Sequence, residues 1–354
     1  MKKTFTLLLS VAMILGATGC SSETTATEGV GDQAIKVGIV LSTGGLGDKN
    51  FNDMAYEGLL KAQEDFGIEF DYVEPKSASD FEPNHRMFAE TEEYDLIIGL
   101  AADQKEAITA VAEDFPEQKI SYIDADLDHP TVRTICTIWP EQTFLTGVIA
   151  GLATQSSVEG TNGDNVVGVI LGMDNPNLRT GLVGFEAGVK YVNPTAEVLQ
   201  ATVGAFNDPG KAKEIALSMY NRGADFIQPI AGASGLGVFN AAKEVGAYAF
   251  GVGGNQNTNE PDHIVATAVR NVNEMIYNEV KMVVEDTWEP GLVISGLKEE
   301  AVGYSVEGSN VVLPQEMIDI VEEIKVKIIN GEVVPCGNAD ELEEWVKNNQ
   351  YTAQ

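Results

Sequence analysis

The sequence predicts an α/β fold made of two lobes, each built on a parallel β-sheet, and three observations support this prediction. Short apolar runs rich in β-branched residues recur along the chain, bounded by turn residues, as strands covered on both faces would be. Segments of about ten to fifteen residues with helical patterning alternate with these runs, which implies right-handed crossovers between parallel strands. The 354 residues exceed the usual size of one domain, so we expect two hydrophobic cores.

The first lobe is predicted to begin with a buried strand at Ile35–Val40, a glycine-rich turn, and a helix that starts near Asn52 or Asp53. Ligands of open α/β sheets bind beyond the carboxyl ends of the strands, so we expect functional residues at this turn. Further strands are predicted at 69–75, 95–100, 119–124 and 132–139, with helices at 84–94, 104–114 and 141–156.

A polar, glycine-containing break at 156–165 separates this series from a second one, which is predicted to form the other lobe. We assign 34–145 to the first lobe and 146–270 to the second lobe. Strands of the second series are predicted at 165–173, 197–204, 225–232, 248–254 and 264–270, with helices at 208–222 and from Leu236. Two helices, at 273–286 and 314–329, follow, and a short helix is expected near the C-terminus.

The N-terminal segment 1–19 has the features of a secretory signal: a lysine pair, an apolar run from Phe5 to Leu15, and small residues before Cys20. The apolar run is too short to cross a bilayer. The sequence ATGC resembles a bacterial lipobox, which implies that Cys20 is lipidated and that the mature protein lies on the extracytoplasmic face of the cell membrane. An ordinary signal peptide with a chance cysteine is the alternative. Residues 20–33 are small and polar, as expected of a flexible tether.

The charge of the chain and its scarce cysteines and histidines argue against several classes of function. A net charge of −32 opposes binding to nucleic acid or to an anionic membrane surface. The three histidines lack ligand-like spacing, and the sequence contains no G-x-S-x-G nucleophile motif and no nucleotide-binding fingerprint. We therefore predict no metal site, no cofactor and no enzymatic activity. The distant Cys136 and Cys336 leave open whether they pair or stay free thiols.

Four segments of the chain carry a resemblance to a known family. They are DKNFNDMAYEGL from Asp48, GMDNPNLRTGLVGFEAGVKYVNP from Gly172, FNDPGKAKEIA from Phe206 and AGASGLGVFNAAKEVG from Ala231. In this order they resemble the basic membrane protein family of lipoproteins, which are substrate-binding components of ABC importers typified by a purine nucleoside receptor.

This resemblance, over about 35–329, implies the type I periplasmic-binding-protein fold. In that fold two Rossmann-like lobes close on a ligand, and residues 271–354 are expected to return to the first lobe and to end in C-terminal helices. The resemblance also implies a monomer that delivers a small molecule to an ABC permease in the membrane.

Candidate ligand-binding residues lie at the predicted carboxyl ends of strands. Phe51 lies on a polar turn, where an aromatic ring could stack on a flat heterocycle, although a buried turn residue is the alternative. Asn52 could cap the helix as well as contact a ligand. The resemblance assigns Asp124 to reading the base, against a solvated loop acid, and it places Gly232 near the sugar.

Four positions depart from the family pattern for nucleoside binding. They are Ser42, Gln228, Gly253 and Arg270, where aspartate, phenylalanine, aspartate and lysine are usual. The loss of two carboxylates removes acceptors for ribose hydroxyls, and Arg270 would then present a planar cationic fork without its expected partner.

Neutral amides and one tryptophan could compensate for these departures. Asn255 or Gln256 could replace the sugar contacts, and Trp139 could restore a stacking face, although a core tryptophan is the alternative. A purine nucleoside is therefore the default ligand, with a nucleobase, riboflavin or a more anionic heterocycle as alternatives. A nucleoside hydrolase, a dehydrogenase or a receptor that feeds a sensor are other classes that the fold alone does not exclude.

Overall fold

The computed structural model of the protein describes residues 34–48, 50–156 and 158–352. The predicted signal segment, Cys20 and the tether lie outside the described residues. Within the described ranges, none of the helices combines the length and the apolar character that a membrane span requires.

The chain alternates strands and helices as the sequence predicts. Its first part contains β1 (Lys36–Val40), α1 (Phe51–Phe66), β2 (Glu69–Val73), α2 (Phe81–Glu90), β3 (Leu96–Leu100), α3 (Lys105–Asp114), β4 (Ile120–Ile123) and β5 (Val132–Thr137). Its second part contains α4 (Trp139–Ala153), β6 (Val166–Leu171), α5 (Pro176–Val192), β7 (Glu197–Thr202), α6 (Pro209–Asn221), β8 (Ala224–Ile230), α7 (Gly235–Val245), β9 (Tyr248–Gly253) and β10 (Ile264–Arg270). The remaining elements are α8 (Val272–Val284), β11 (Gly291–Ser295), β12 (Val302–Ser305), α9 (Gln315–Ile329) and α10 (Ala339–Asn348).

These strands form two six-stranded sheets, and each sheet with its helices is called a lobe below. The sheet of lobe 1 has the order β11-β5-β4-β3-β1-β2, with every pairing parallel. The sheet of lobe 2 has the order β12-β10-β9-β8-β6-β7 and is parallel except for β12, which runs antiparallel to β10. The predicted α/β architecture with two parallel sheets is thus confirmed.

The chain passes between the lobes after β5, after β10 and after β11. The first crossing is earlier than the predicted boundary at residue 145, because α4 packs on lobe 2 rather than closing lobe 1. Phe144 and Val148 of α4 share a core cluster with Val167 and Phe185 of lobe 2. The helix is apolar on nearly all its faces, so its sequence pattern did not reveal which sheet it covers.

Glycines allow α4 and α5 to pack backbone against backbone. A Cβ atom at Gly147 would lie 2.2 Å from the carbonyl oxygen of Phe185, and one at Gly188 would lie 2.1 Å from that of Phe144. Only residues without a side chain fit at such a contact. This packing fixes α4, and with it Trp139 at its first position, against lobe 2.

The C-terminal part of the chain, which was expected to return to lobe 1 and to end in C-terminal helices, is divided between the lobes. Helix α8 and strand β11 return to lobe 1, where Ile276 and Val280 join its core. Strand β12 and helices α9 and α10 lie on lobe 2, and Val321 and Ile324 of α9 are fully buried in that core. The apolar stripe of α9 packs against α4, which lies on the same lobe.

Candidate functional site

Four side chains from both lobes meet at the carboxyl ends of the strands. Phe51 is the first residue of α1, Asp124 follows β4, Trp139 is the first residue of α4, and Arg270 is the last residue of β10. Two of the three crossings, after β5 and after β10, therefore lead directly into this group. In an open α/β sheet this edge is where ligands bind.

Arg270 and Asp124 form a buried ion pair between Nη1 and Oδ2. The side chains are only 7% and 9% exposed, so the pair is nearly removed from water. The other carboxylate oxygen, Oδ1, accepts a hydrogen bond from the hydroxyl of Thr137. Arg270 thus has a partner, although not the one that the family pattern would supply, and the carboxylate that was expected to read a base binds a guanidinium instead.

The guanidinium of Arg270 packs against two aromatic rings. Its Cζ atom is 4.3 Å from the ring centroid of Trp139 and 5.0 Å from that of Phe51. A cation held over an aromatic face contributes about 2 kcal/mol when it is desolvated. We call the space that these two rings border, and that the guanidinium occupies in this structure, the stacking slot.

Several buried polar atoms beside the slot have no hydrogen-bond partner within the described part of the chain. They are Nε of Arg270, Nε1 of Trp139 and Oε1 of Gln142, which lies one turn after Trp139 on α4. A buried polar group without a partner costs about 1–3 kcal/mol, so such groups are rare in native proteins and often mark functional sites. Among the described residues, three of the five such atoms lie here, on the first turn of α4 and the end of β10; the other two are Nδ1 of His85 and Oγ1 of Thr134 in lobe 1.

A cleft of about 550 Å³ opens beside Arg270 between the lobes. Its volume is that of a typical small-molecule site. Asn50, Asp53 and Glu57 of lobe 1 line it, and they face Asn255, Arg270 and Glu307 of lobe 2. Among the described residues that line it, Arg270 is the only basic one, and it is already paired with Asp124. The balance of charge therefore favours ligands with hydroxyl or amino donors over multiply charged anions.

The turn that leads into α1 is held by Asp48. Its carboxylate accepts hydrogen bonds from the backbone amides of Asn50, Asn52 and Asp53 at 2.9, 3.0 and 3.3 Å. Helix α1 begins at Phe51, one or two residues earlier than predicted, and Asn52 does not cap it. The side chain of Asn52 is buried and accepts a hydrogen bond from the amide of Ser42 at 2.9 Å. Ser42 and Asn52 thus brace the turn that presents Phe51.

Asn50 forms a contact between the lobes that the sequence analysis did not anticipate. Its Oδ1 atom accepts a hydrogen bond from the amide of Gly254 at 3.2 Å. A Cβ atom at Gly253 would lie 1.9 Å from the same oxygen, and Gly253 has φ = 90°. Aspartate at position 253 would therefore clash with Asn50 in this arrangement. The sequence could have identified Asn50 by its position between Asp48 and Phe51, in the segment that carries the resemblance.

Gln228 and Gln256 lie away from the cleft. Gln228 is fully buried in β8, where its amide accepts from Thr146 at 2.8 Å and donates to the carbonyl of Gly251 at 3.1 Å. Gln256 is also buried and accepts from the amide of Val252 at 2.9 Å. Both side chains are used inside lobe 2, so neither replaces a ligand contact in this conformation.

The two remaining candidates differ in position. Gly232 follows β8 with φ = 55° beside the ring of Phe206, and it does not line the cleft. Asn255 does line the cleft, and its Nδ2 atom donates to the backbone oxygen of Glu307 at 3.1 Å. Both residues were expected near a sugar, and of the two Asn255 is the one that lies at the cleft.

No cluster of potential metal ligands is found among the described residues. Cys136 and Cys336 are both free thiols, the first in β5 of lobe 1 and the second in the core of lobe 2. They are not joined by a disulfide in this structure.

Comparison with known proteins gives one consistent result. A family model described as an ABC transporter substrate-binding protein, PnrA-like, matches residues 35–338. An uncharacterised lipoprotein of Pyrococcus abyssi is 30% identical over 370 residues, which cover 97% of this chain and 89% of the relative. The ABC transporter nucleoside-binding protein BmpA of Lactococcus lactis is 26% identical over 349 residues, covering 92% and 95% of the two chains.

Solved structures agree with the sequence relatives. A solute-binding protein of an ABC transporter system from Aeropyrum pernix superposes with a TM-score of 0.78 and 28% identity, covering 89% of this chain and 98% of that chain. A sugar transporter from Clostridium phytofermentans, with a TM-score of 0.57 and 15% identity over 78% of this chain and 100% of that chain, shares the fold. The Aeropyrum pernix structure is thus a solute-binding protein with the same two-lobed α/β fold as this chain.

Proposed function

The chain belongs to the PnrA-like family of ABC transporter substrate-binding proteins, and we propose that it captures a small planar heterocycle between its lobes, with a purine nucleoside as the first candidate. The ligand would then pass to an ABC permease, and the protein would act as a monomer without chemical change to the ligand. The nucleoside-binding relative from Lactococcus lactis supports the choice of candidate.

The convergence of Phe51, Asp124, Trp139 and Arg270 beside a cleft carries this proposal. Two aromatic faces and a carboxylate are the groups that a flat base with N–H donors requires, because rings stack and carboxylates accept hydrogen bonds. The acidic lining of the cleft suits a ligand with free hydroxyls better than one with phosphates. These groups come from both lobes, so closure of the lobes would complete the site.

We further propose that Cys20 anchors the mature protein to the outer face of the cell membrane. The signal-like segment that ends at Cys20 and the polar tether that follows support this proposal, and relatives named lipoproteins agree with it. The variant Cys20→Ala should release the protein from the membrane fraction or leave it unprocessed. Unchanged fractionation would contradict a lipid anchor.

Calorimetric titration tests the choice of ligand. Protein purified without denaturation is titrated with inosine, guanosine, adenosine, their free bases and riboflavin. We expect at least one purine compound to bind, and Phe51→Ala to weaken that binding at least about twofold, since an aromatic pair adds roughly 0.5–1.5 kcal/mol beyond burial. Failure of every compound would reject the planar heterocycle, and release of free base from a nucleoside would indicate a hydrolase.

A further inference from the structure

We propose that Arg270 is the specificity-determining residue of the cleft, because its guanidinium fills the stacking slot that a flat neutral base would enter. A neutral ligand must displace this group before it can stack between Phe51 and Trp139. The inference rests on the proposed function, since it concerns which ligands that cleft accepts.

The guanidinium lies about as close to each of the two rings as a stacked planar ring would. The guanidinium is planar and delocalised, and it lies 4.3 and 5.0 Å from the two ring centroids. These distances lie close to the lower end of the range of about 4.5–7 Å at which aromatic rings pair. The guanidinium therefore fills the space beside both rings that a heterocycle stacked on them would need, and both cannot occupy the slot together.

Asp124 strengthens this exclusion. Its carboxylate is the hydrogen-bond acceptor at the slot, and both of its oxygens already accept, one from Arg270 and the other from Thr137. A neutral base would have to compete with a full positive charge for this buried group. Separating a buried ion pair leaves uncompensated charge, which strongly opposes the exchange.

Some ligands would nevertheless favour movement of the Arg270 side chain out of the slot. Its Nε atom is buried without an acceptor in the described ranges, and its side chain borders the cleft. A ligand that offers the guanidinium a carbonyl or carboxylate oxygen would satisfy this donor, whereas a ligand with only donors at that edge would not. The slot thus selects against neutral bases that lack such an acceptor.

The first test needs no ligand, because Trp139 reports on the slot. In a background with Trp288→Phe and Trp345→Phe, Trp139 is the one remaining tryptophan. We expect Arg270→Ala to raise the acrylamide quenching constant of Trp139 at least twofold, since the ring loses the group that covers it. An unchanged constant would overturn the proposal. Arg270→Lys, which keeps the charge opposite Asp124, should move the constant in the same direction and serves if the alanine variant does not fold.

The second test is calorimetry with adenosine, whose base presents an amino group in place of a carbonyl. Arg270→Lys should bind adenosine at least tenfold more tightly than the unmodified protein, because lysine is not planar and leaves the slot open. Arg222→Lys, the same substitution at an exposed pair with Glu197, is the control and should change nothing. Equal or weaker binding by Arg270→Lys would overturn the proposal. If every variant fails to bind any nucleoside, the proposed ligand is wrong, and the quenching result still decides the role of Arg270.

Discussion

Two buried arginine–carboxylate pairs, Arg133–Glu279 and Arg270–Asp124, differ in how completely their hydrogen bonds are satisfied. Glu279 accepts from Nε of Arg133 at 3.0 Å and from the hydroxyl of Ser121 at 2.6 Å. Arg133 also donates to a backbone carbonyl, and the indole of Trp288 donates to Ser121. Arg270 instead has an Nε atom without a partner among residues 34–48, 50–156 and 158–352, and it borders a cleft.

The difference indicates separate roles for chemically similar pairs. The Arg133–Glu279 network joins α8 to β4 and β5, so it holds the segment that returns to lobe 1 after Arg270. The Arg270 pair lies where ligands of this fold bind and leaves donor capacity unused. A satisfied buried network contributes to the scaffold, whereas an incomplete one at a cleft is available for a ligand.

The largest expected effect is on stability, from Arg133→Ala. Glu279 is 2% exposed and would be left as an uncompensated buried charge, so we expect a loss of about 3–5 kcal/mol in the free energy of unfolding. Urea unfolding measures this loss, with Arg222→Ala as a matched surface control expected to cost less than about 1 kcal/mol. Ligand selectivity should not change. A loss below 1 kcal/mol would show that the network does not support the scaffold.

A smaller effect on stability, dependent on pH, is expected from His85. This residue also tests whether a buried atom without a hydrogen-bond partner is enough to mark a binding site. His85 is fully buried, its Nε2 atom lies 2.7 Å from Oε1 of Gln104, and its Nδ1 atom has no partner in the described ranges. It does not line the cleft. Burial lowers the pKa of His85 from 6.5 to about 4, against an opposing contribution from the hydrogen bond to Gln104.

Because the unfolded chain binds this proton more readily, the stabilising contribution of neutral His85 is complete above pH 6.5. It is lost as the pH falls toward 4, by about 3 kcal/mol in all. Compared with His85→Gln, the unmodified protein should therefore lose stability more steeply between pH 6.5 and 4, as measured by urea unfolding at each pH. Parallel curves would contradict the lowered pKa, and altered ligand binding would place His85 in the site.

The smallest expected effect concerns the contact between the lobes. Asn50→Ala removes the hydrogen bond to the amide of Gly254, which is worth about 0.5–1.5 kcal/mol. We expect the ligand-free lobes to open more often and the radius of gyration from small-angle scattering to increase. Thr258→Ala, at an exposed position of lobe 2, is the control. An unchanged radius in Asn50→Ala would show that this bond does not bias closure.

Local patterns predicted most of the strands and helices. Strand β10 was predicted with its observed bounds, and β3 was predicted to begin one residue early, because β-branched runs between turn residues specify buried strands directly. The predicted boundary at residue 145 divided helix α4 between the lobes, because a helix that is apolar on nearly all its faces carries no information about its neighbour. Helix α4 packs against α5, further along the chain, because glycines on α5 allow the two backbones to approach closely.

The candidate site was predicted only in part, for a related reason. Phe51 was proposed from its place on a polar turn, Asp124 from a strand end together with the resemblance, and Arg270 as a departure from the family pattern. The pairing of Arg270 with Asp124, 146 residues apart, depends on how the two lobes meet, which no local pattern encodes. The burial of Gln228 has a similar cause, since its amide is used inside lobe 2 by Thr146 of α4, 82 residues earlier in the chain.

A crystal structure of the complex with the tightest ligand from the titrations tests the central claim most directly. The account predicts that the planar ring lies between Phe51 and Trp139, with the guanidinium of Arg270 moved out of the slot and bonded to an acceptor of the ligand. A ligand bound elsewhere, with the Arg270–Asp124 pair undisturbed between the two rings, would contradict it.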